Sequence, residues 1–278
     1  NPCPFGSASS SLAEGTKLIM IKLHFVFDKT KKAQNLKKKL LSKYINNSVR
    51  NSDVIVVGGG DGFMLNSLKK YVKFKKSFYG INCGSYGFLM NRYNSEDLQK
   101  KILKAKKTKI NPLEIHSSNK KKTKNFLIAI NEISLFRQTK QTAYLKLEIK
   151  KKTIIKKLVG DGVLISTPAG STAYNLSVNG PILSLDSGKL AITPISPFRP
   201  RRWKGKIVSN KVEIKLTNLY PKKRPVAAVA DNIEMRNVET LTIKTNKTIN
   251  LILLHDSERS LVKRIKAEQL KRNFNKFI

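Results

Sequence analysis

Two textures of apolar and polar positions divide this 278-residue chain. In the first, short apolar runs alternate with helical periods. Leu23, Phe25 and Phe27 alternate as a strand, and Leu36, Leu40, Leu41, Tyr44 and Ile45 fall on one helical face. Val54 to Val57, all β-branched, predict a buried strand, and Met64, Leu65, Leu68 and Val72 mark the next helix. A strand around Phe78–Ile81 and a polar helix near Ser95–Lys106, capped by Asn94 or Ser95, complete this part. The alternation predicts a parallel sheet with crossover helices, which places ligands at the carboxyl ends of its strands.

After Pro112 the period changes to two. Leu145, Leu147 and Ile149 alternate with polar residues, as do Val212, Ile214 and Leu216, and then Leu241 and Ile243. This pattern predicts half-buried antiparallel strands. A helical pattern returns over Ser257–Phe274, with Leu261, Ile265 and Leu270 apolar. The expected architecture is an α/β domain over residues 20–111 and an all-β domain over 112–254. A C-terminal segment with a helix follows over 255–278 and is expected to pack back on the α/β domain. Residues 1–19, serine-rich and preceding the first methionine, Met20, are expected to be a disordered extension or a cloning remnant. They lack the basic start and apolar centre of a signal peptide.

Composition narrows the picture. No apolar run is long enough to cross a membrane as a helix. Cys3 and Cys83 form no framework, which fits a reducing cytoplasm, and His24, His116 and His255 lack the spacing of a zinc site. The net charge of +37 raises the question of nucleic acid. The lysines, however, lie in many short runs between apolar positions (Lys37–Lys39, Lys120–Lys122, Lys150–Lys152) without interleaved aromatics. A lysine-rich composition spread over solvated faces is the favoured reading.

The chemistry concentrates in two stretches. The first is Gly58-Gly59-Gly60-Asp61-Gly62-Phe63, where the buried strand turns into a helix. Glycines let backbone N–H groups approach a phosphate, and a helix N-terminus favours its charge. Asp61 would repel a phosphate, so it reads as a general base or metal ligand, or else as a plain helix cap. Phe63 breaks the G-x-G-x-x-G fingerprint, and no G-x-x-x-x-G-K-[ST] loop is present. The second stretch runs from Gly160-Asp161-Gly162 through Thr167-Pro168-Ala169-Gly170-Ser171-Thr172-Ala173-Tyr174 to Ser177. Thr172 and Ser177 offer hydroxyls to a base or sugar, Tyr174 offers a ring face, and the small residues leave room for a planar group. Asn131-Glu132 follows the apolar strand Phe126–Ile130 and alone would read as a surface loop.

Taken together, Gly59-Gly60-Asp61-Gly62, Asn131-Glu132, Gly160-Asp161-Gly162 and the Thr167–Tyr174 block resemble the bacterial form of the NAD kinases, in order and spacing. Ile192-Thr193-Pro194-Ile195-Ser196-Pro197 agrees. The resemblance runs from about Met20 to near the C-terminus. It implies Mg²⁺-dependent transfer of the terminal phosphoryl group of ATP to the adenosine-ribose 2′-hydroxyl of NAD. It also implies a cytoplasmic homodimer or homotetramer. Asp61 matches the general base, and Gly59, Gly60 and Gly62 match a phosphate and Mg²⁺ cradle. Asn131, Thr172, Ala173, Tyr174 and Ser177 match the adenosine positions. Glu132, Asp161 and Ile195 match the nicotinamide-riboside end, with Asp161 reaching a neighbouring subunit's site. No protein cage for a metal is expected.

The sequence departs from that pattern at Cys83 and Tyr86, where related sequences more often carry Arg and Val, and at Asn232, where many carry glycine. The G-G-D-G turn is also shared with diacylglycerol and sphingosine kinases. A lipid kinase and a basic nucleic-acid-binding protein are therefore the alternatives.

Overall fold

The computed structural model describes residues 20–84, 87–94, 97–118 and 125–256. The extension 1–19, the helix expected over Ser257–Phe274, and Tyr86 lie outside the described residues.

The chain opens with β1 (Leu23–Phe27), α1 (Lys31–Leu41), β2 (Val54–Gly59), α2 (Asp61–Tyr71), β3 (Ser77–Asn82), α3 (Leu98–Lys104) and β4 (Lys106–Ile110). Strands β5 to β10 follow, at Leu113–Ser118, Asn125–Ala129, Glu132–Arg137, Ala143–Ile149, Lys152–Gly160 and Gly162–Ser166. A short helix, α4 (Tyr174–Ser177), precedes β11 to β17, at Lys189–Ile195, Lys206–Ser209, Ile214–Asn218, Val226–Ala230, Ile233–Met235, Thr240–Thr245 and Leu251–His255.

The first sheet has the order β1-β2-β3-β17-β4, parallel except for the edge strand β4. All of β2 is buried, as a strand covered on both faces must be. On one face α1 and α3 bury Leu36, Leu40, Leu98 and Ile102 over Val54, Val56 and Tyr79. On the other, α2 brings Met64 and Leu68 into one cluster with Ile55, Val57 and Phe78. Two antiparallel six-stranded sheets, β12-β11-β10-β7-β14-β15 and β6-β5-β16-β13-β8-β9, follow. Their inner faces share a core that includes Leu147, Ile165, Ile192, Ile214 and Leu241. Each such side chain contributes on the order of 1.5–3 kcal/mol through burial.

Several expectations need correction. The periodic face of α1 stops at Leu41, because a backbone cap at Ser42 ends the helix; Tyr44 and Ile45 lie beyond it, and Ile45 is exposed. The cap of α3 is Asp97, whose carboxylate accepts from the Gln99 N–H, rather than Asn94 or Ser95. The second part is β-rich as expected, with a 3-10 turn at Gly170–Thr172 that leads into the one-turn α4. Leu251–His255 pairs with β3 and β4 of the first sheet instead of staying with the β-rich range 112–254. Leu251 and Leu253 are buried in the core on one face of that sheet and Leu254 in the core on the other.

Candidate active site

At the end of β2 the glycines divide by what surrounds them. A side chain at Gly58 would meet the Phe27 ring at 2.6 Å, and one at Gly59 the Phe63 ring at 2.8 Å, so packing alone explains both glycines. Gly60 and Gly62 face open space within 4 Å, and neither has a positive φ. Neither packing nor backbone conformation requires glycine there. What remains is room for something that approaches the backbone from outside, where the N-terminus of α2 favours an anion.

Asp61 opens α2 and is half-buried. Its carboxylate accepts from the Phe88 N–H at 2.8 Å and from the Leu89 N–H at 3.0 Å. These donors belong to the second glycine-containing turn, after β3, and they fix the carboxylate at the mouth of the first turn. The neighbouring Cys83 donates its N–H to the Gly59 carbonyl at 2.8 Å, so its backbone ties the two turns together. Burial pushes the Cys83 thiol up from its ordinary range.

The second stretch meets Asn131 directly. Thr167 donates its N–H to the Asn131 carbonyl at 2.9 Å and its hydroxyl to the Ile130 carbonyl at 2.7 Å. A side chain at Gly170 would lie 2.3 Å from the Asn131 oxygen, so glycine is what lets the two loops close. Beneath them Asn175 is fully buried. Its amide donates to the Pro181 carbonyl at 2.9 Å, and its Oδ1 accepts from the Thr193 hydroxyl at 2.7 Å. Ser171 ties in Pro168 and Leu183. This scaffold presents Thr172, buried, Ala173 and Tyr174, half-buried, and Ser177, exposed.

Glu132 sits between these elements and Asp231. The Asp231 carboxylate is 3% exposed and accepts from the N–H groups of Ile130 and Asn131, each at 2.8 Å, and of Glu132 at 3.3 Å. Burial, and then the charge of Asp231, push the Glu132 carboxyl up to about 8. Glu132 therefore holds a proton at neutral pH and is a donor. Its Oε2 and the Asn131 Oδ1 are buried without partners, neighbouring oxygens with unused hydrogen-bonding capacity. The Tyr174 hydroxyl is pushed up by burial and then by Asp161 and Glu132, which places all three in one electrostatic neighbourhood. Asp161 pairs with the Arg137 Nε at 2.5 Å and is 35% exposed. Ile195 is buried, and its carbonyl accepts the Asp161 N–H at 3.0 Å.

One buried cluster joins Met64 and Leu68 of α2 with Ile130 and Ala169, so the glycine turn and the second stretch share a wall. The exposed run of Arg199, Arg201 and Arg202 follows backbone bonds from Phe198 and Arg199 to Val159, and Arg199 lies 4.8 Å over the Phe198 ring. Sequence reading missed Asp231 and Lys69 as site-builders. A lone acid in a polar turn and a helix lysine carry no motif, and the only hint was a non-glycine pair at Asp231-Asn232.

Among the described residues no cluster of three or more His, Cys, Asp or Glu could cage a metal. Mg²⁺ is typically held by one or two carboxylates with substrate phosphates, so a lone Asp61 beside an open turn suits it. No helix among the described residues is long and apolar enough to cross a membrane.

Comparison with known proteins bears on the family and the fold. The profile of the ATP-NAD kinase C-terminal domain matches residues 130–248. An NAD kinase of Caulobacter vibrioides is 45% identical over 237 residues, covering 85% of this chain and 91% of that protein. One from Brucella suis is 43% identical over 249 residues, 90% of this chain and 97% of that protein. Among solved structures, an Archaeoglobus fulgidus NAD kinase in complex with ATP superposes with a TM-score of 0.69 at 22% identity, covering 88% of this chain and 99% of that one. Yeast NADH kinase complexed with NADH gives 0.67 at 23% identity, over 80% and 68%. These two likenesses speak to the fold.

Proposed function

The chain belongs to the NAD kinase family, and from that membership we propose how its residues carry out the reaction. The activity is phosphoryl transfer from ATP to NAD, giving NADP and ADP. The observation that carries the assignment of roles is the turn at Gly60–Asp61–Gly62, open on its outer side while the carboxylate is pinned from behind.

In this reading the triphosphate and the ribose meet over that turn. Gly60 and Gly62 admit phosphates to the backbone, with Gly59 shaping the turn from beneath. Asp61 accepts the proton of the adenosine-ribose 2′-hydroxyl as its oxygen bonds to the γ-phosphorus, and the bond to the ADP oxygen breaks. Such a transfer needs alignment and charge stabilisation more than covalent help from the protein. Bound beside Asp61, Mg²⁺ would neutralise phosphate charge.

The adenosine end lies against Asn131, Thr172, Ala173, Tyr174 and Ser177, and the nicotinamide riboside against Glu132, Asp161 and Ile195. The partnerless Asn131 Oδ1 and Glu132 Oε2 support this, since a nucleotide supplies the donor and acceptor they lack. Asp161 serves a neighbouring subunit in a homodimer or homotetramer, a role supported by the part-exposed side of its Arg137-paired carboxylate. We divide the chain into an α/β unit, residues 20–111 with 251–256, and a β-rich unit between them. The lysines of β9, at 152, 156 and 157, are exposed on an outer strand, in keeping with solvated charge rather than a nucleic-acid groove. Sparse cysteine use supports a cytoplasmic location.

The test is NADP formation from NAD, ATP and Mg²⁺, coupled to an NADP-specific dehydrogenase. Absence of NADP with any nucleoside triphosphate or polyphosphate would overturn the reading.

A further inference from the structure

Lys69 lies eight residues beyond Asp61 on α2, about 12 Å further along the helix. Its Nζ is 2.9 Å from Asp231 Oδ2 and 3.4 Å from Asn232 Oδ1. Asp231 and Asn232 form the turn between β14 and β15, in the other half of the molecule. The Lys69 side chain is 17% exposed and that of Asp231 3%, so solvent screens the pair little.

Asp231 has a second task. Its carboxylate collects the N–H groups of Ile130, Asn131 and Glu132, where the chain leaves one β-sheet and enters the other. Asp231 opens the two-residue hairpin loop between β14 and β15 with a φ of 53°, the left-handed conformation such loops use and Asp tolerates better than most residues. The Asp231 N–H also donates to the Glu132 carbonyl at 3.1 Å. One carboxylate therefore fixes the backbone from which Asn131 and Glu132 project, and Lys69 fixes that carboxylate.

We infer that Lys69 is a positioning residue for nucleotide recognition. Through Asp231 it sets the placement of Asn131 and Glu132 relative to the helix that begins with Asp61. Asn232 is the second acceptor of the same strut. Without Lys69 the buried Asp231 charge would lose its cation beside Glu132, and the turn at 130–132 would relax away from α2. The inference rests on the assignment of Asn131 and Glu132 to NAD.

The experiment compares Lys69→Met, Lys69→Arg and Asp231→Asn with the parent enzyme. It measures NAD affinity by calorimetry without turnover, KM for NAD and for ATP, and thermal stability. Lys69→Met should weaken NAD binding about tenfold and raise KM for NAD in parallel, with kcat and KM for ATP changed less than threefold. Lys69→Arg should restore most of the affinity. Lys69→Met combined with Asp231→Asn should be markedly less than additive, as expected for groups in one ion pair. An unchanged NAD affinity in folded Lys69→Met, loss of stability alone, or an additive double variant would each overturn the inference. Parent enzyme that binds no NAD would instead defeat the functional assignment beneath it.

Discussion

Asp61 and Phe88 meet across the mouth of the glycine turn, the carboxylate of one accepting the backbone N–H of the other at 2.8 Å. That bond, with its neighbour from Leu89, orients the acid without filling the space above Gly60 and Gly62. A weakly basic carboxylate can serve phosphoryl transfer when held this way, because alignment supplies more of the rate than proton affinity does. Asp61→Asn keeps the size but loses the base and one of the two backbone acceptors. Turnover should fall about 10²–10⁴-fold while NAD affinity measured by calorimetry stays within a few-fold. Near-normal turnover would remove Asp61 as the base.

The glycines give a sharper dissection. At Gly62, within the first turn of α2, alanine meets nothing and should stabilise the helix by roughly 0.5–1 kcal/mol. The same methyl group intrudes where phosphate approaches, so Gly62→Ala should melt higher yet show a KM for ATP raised tenfold or more. At Gly162 a methyl carbon would lie 1.9 Å from the Leu135 carbonyl oxygen, so Gly162→Ala should fail to fold or melt far lower. Melting curves and ATP titrations separate the two. A Gly62→Ala enzyme with parental KM for ATP would leave that glycine without a phosphate role.

Glu132 supplies the pH dependence. Its folded pKa, about 8, lies above the ordinary 4.5. Between those values the folded protein holds a proton that the unfolded chain releases. Stability from this group is therefore fullest at the acid end, declines as pH rises through the window, and levels off above about pH 8. Glu132→Gln removes the titration. The variant should gain melting temperature over the parent progressively from pH 5 to pH 8, with no gain left below the window. A constant difference across that range would refute the buried proton.

Thr193 donates the hydrogen bond that satisfies the Asn175 Oδ1, in a fully buried place. Thr193→Val leaves that oxygen unpaired, which costs on the order of 1–3 kcal/mol. Because Asn175 anchors the Thr172–Ser177 stretch, KM for NAD should rise with the loss of stability. Denaturant unfolding and NAD titration test both halves, and a stable variant with unchanged KM would show that the anchor is dispensable.

Much of this was legible before any coordinates. Periodicity of 3.6 and of 2 separated the two halves, because each half buries faces with its own repeat, as in α2 and in β8. The glycine-rich turns were visible because glycine at Gly170 or Gly162 has no substitute at the contact it makes. The Lys69–Asp231 link was not, since the two residues lie 162 positions apart and neither type is distinctive on a surface. The place of Leu251–His255 was equally hidden. An apolar run says that it will be buried, not between which strands.

That last strand has a consequence for the order in which the molecule comes into being. β17 fills the gap between β3 and β4, so the sheet beneath the glycine turn stays unfinished until the chain has been made past His255. Residues 20–110 emerging from a ribosome present β3 as an unpaired edge, with the backbone groups of that edge waiting for a partner 175 positions downstream. The β-rich half, whose two sheets pair only among residues 113–245, can close first. Any product that ends before Leu251 therefore lacks the strand that joins β3 to β4 in the first sheet.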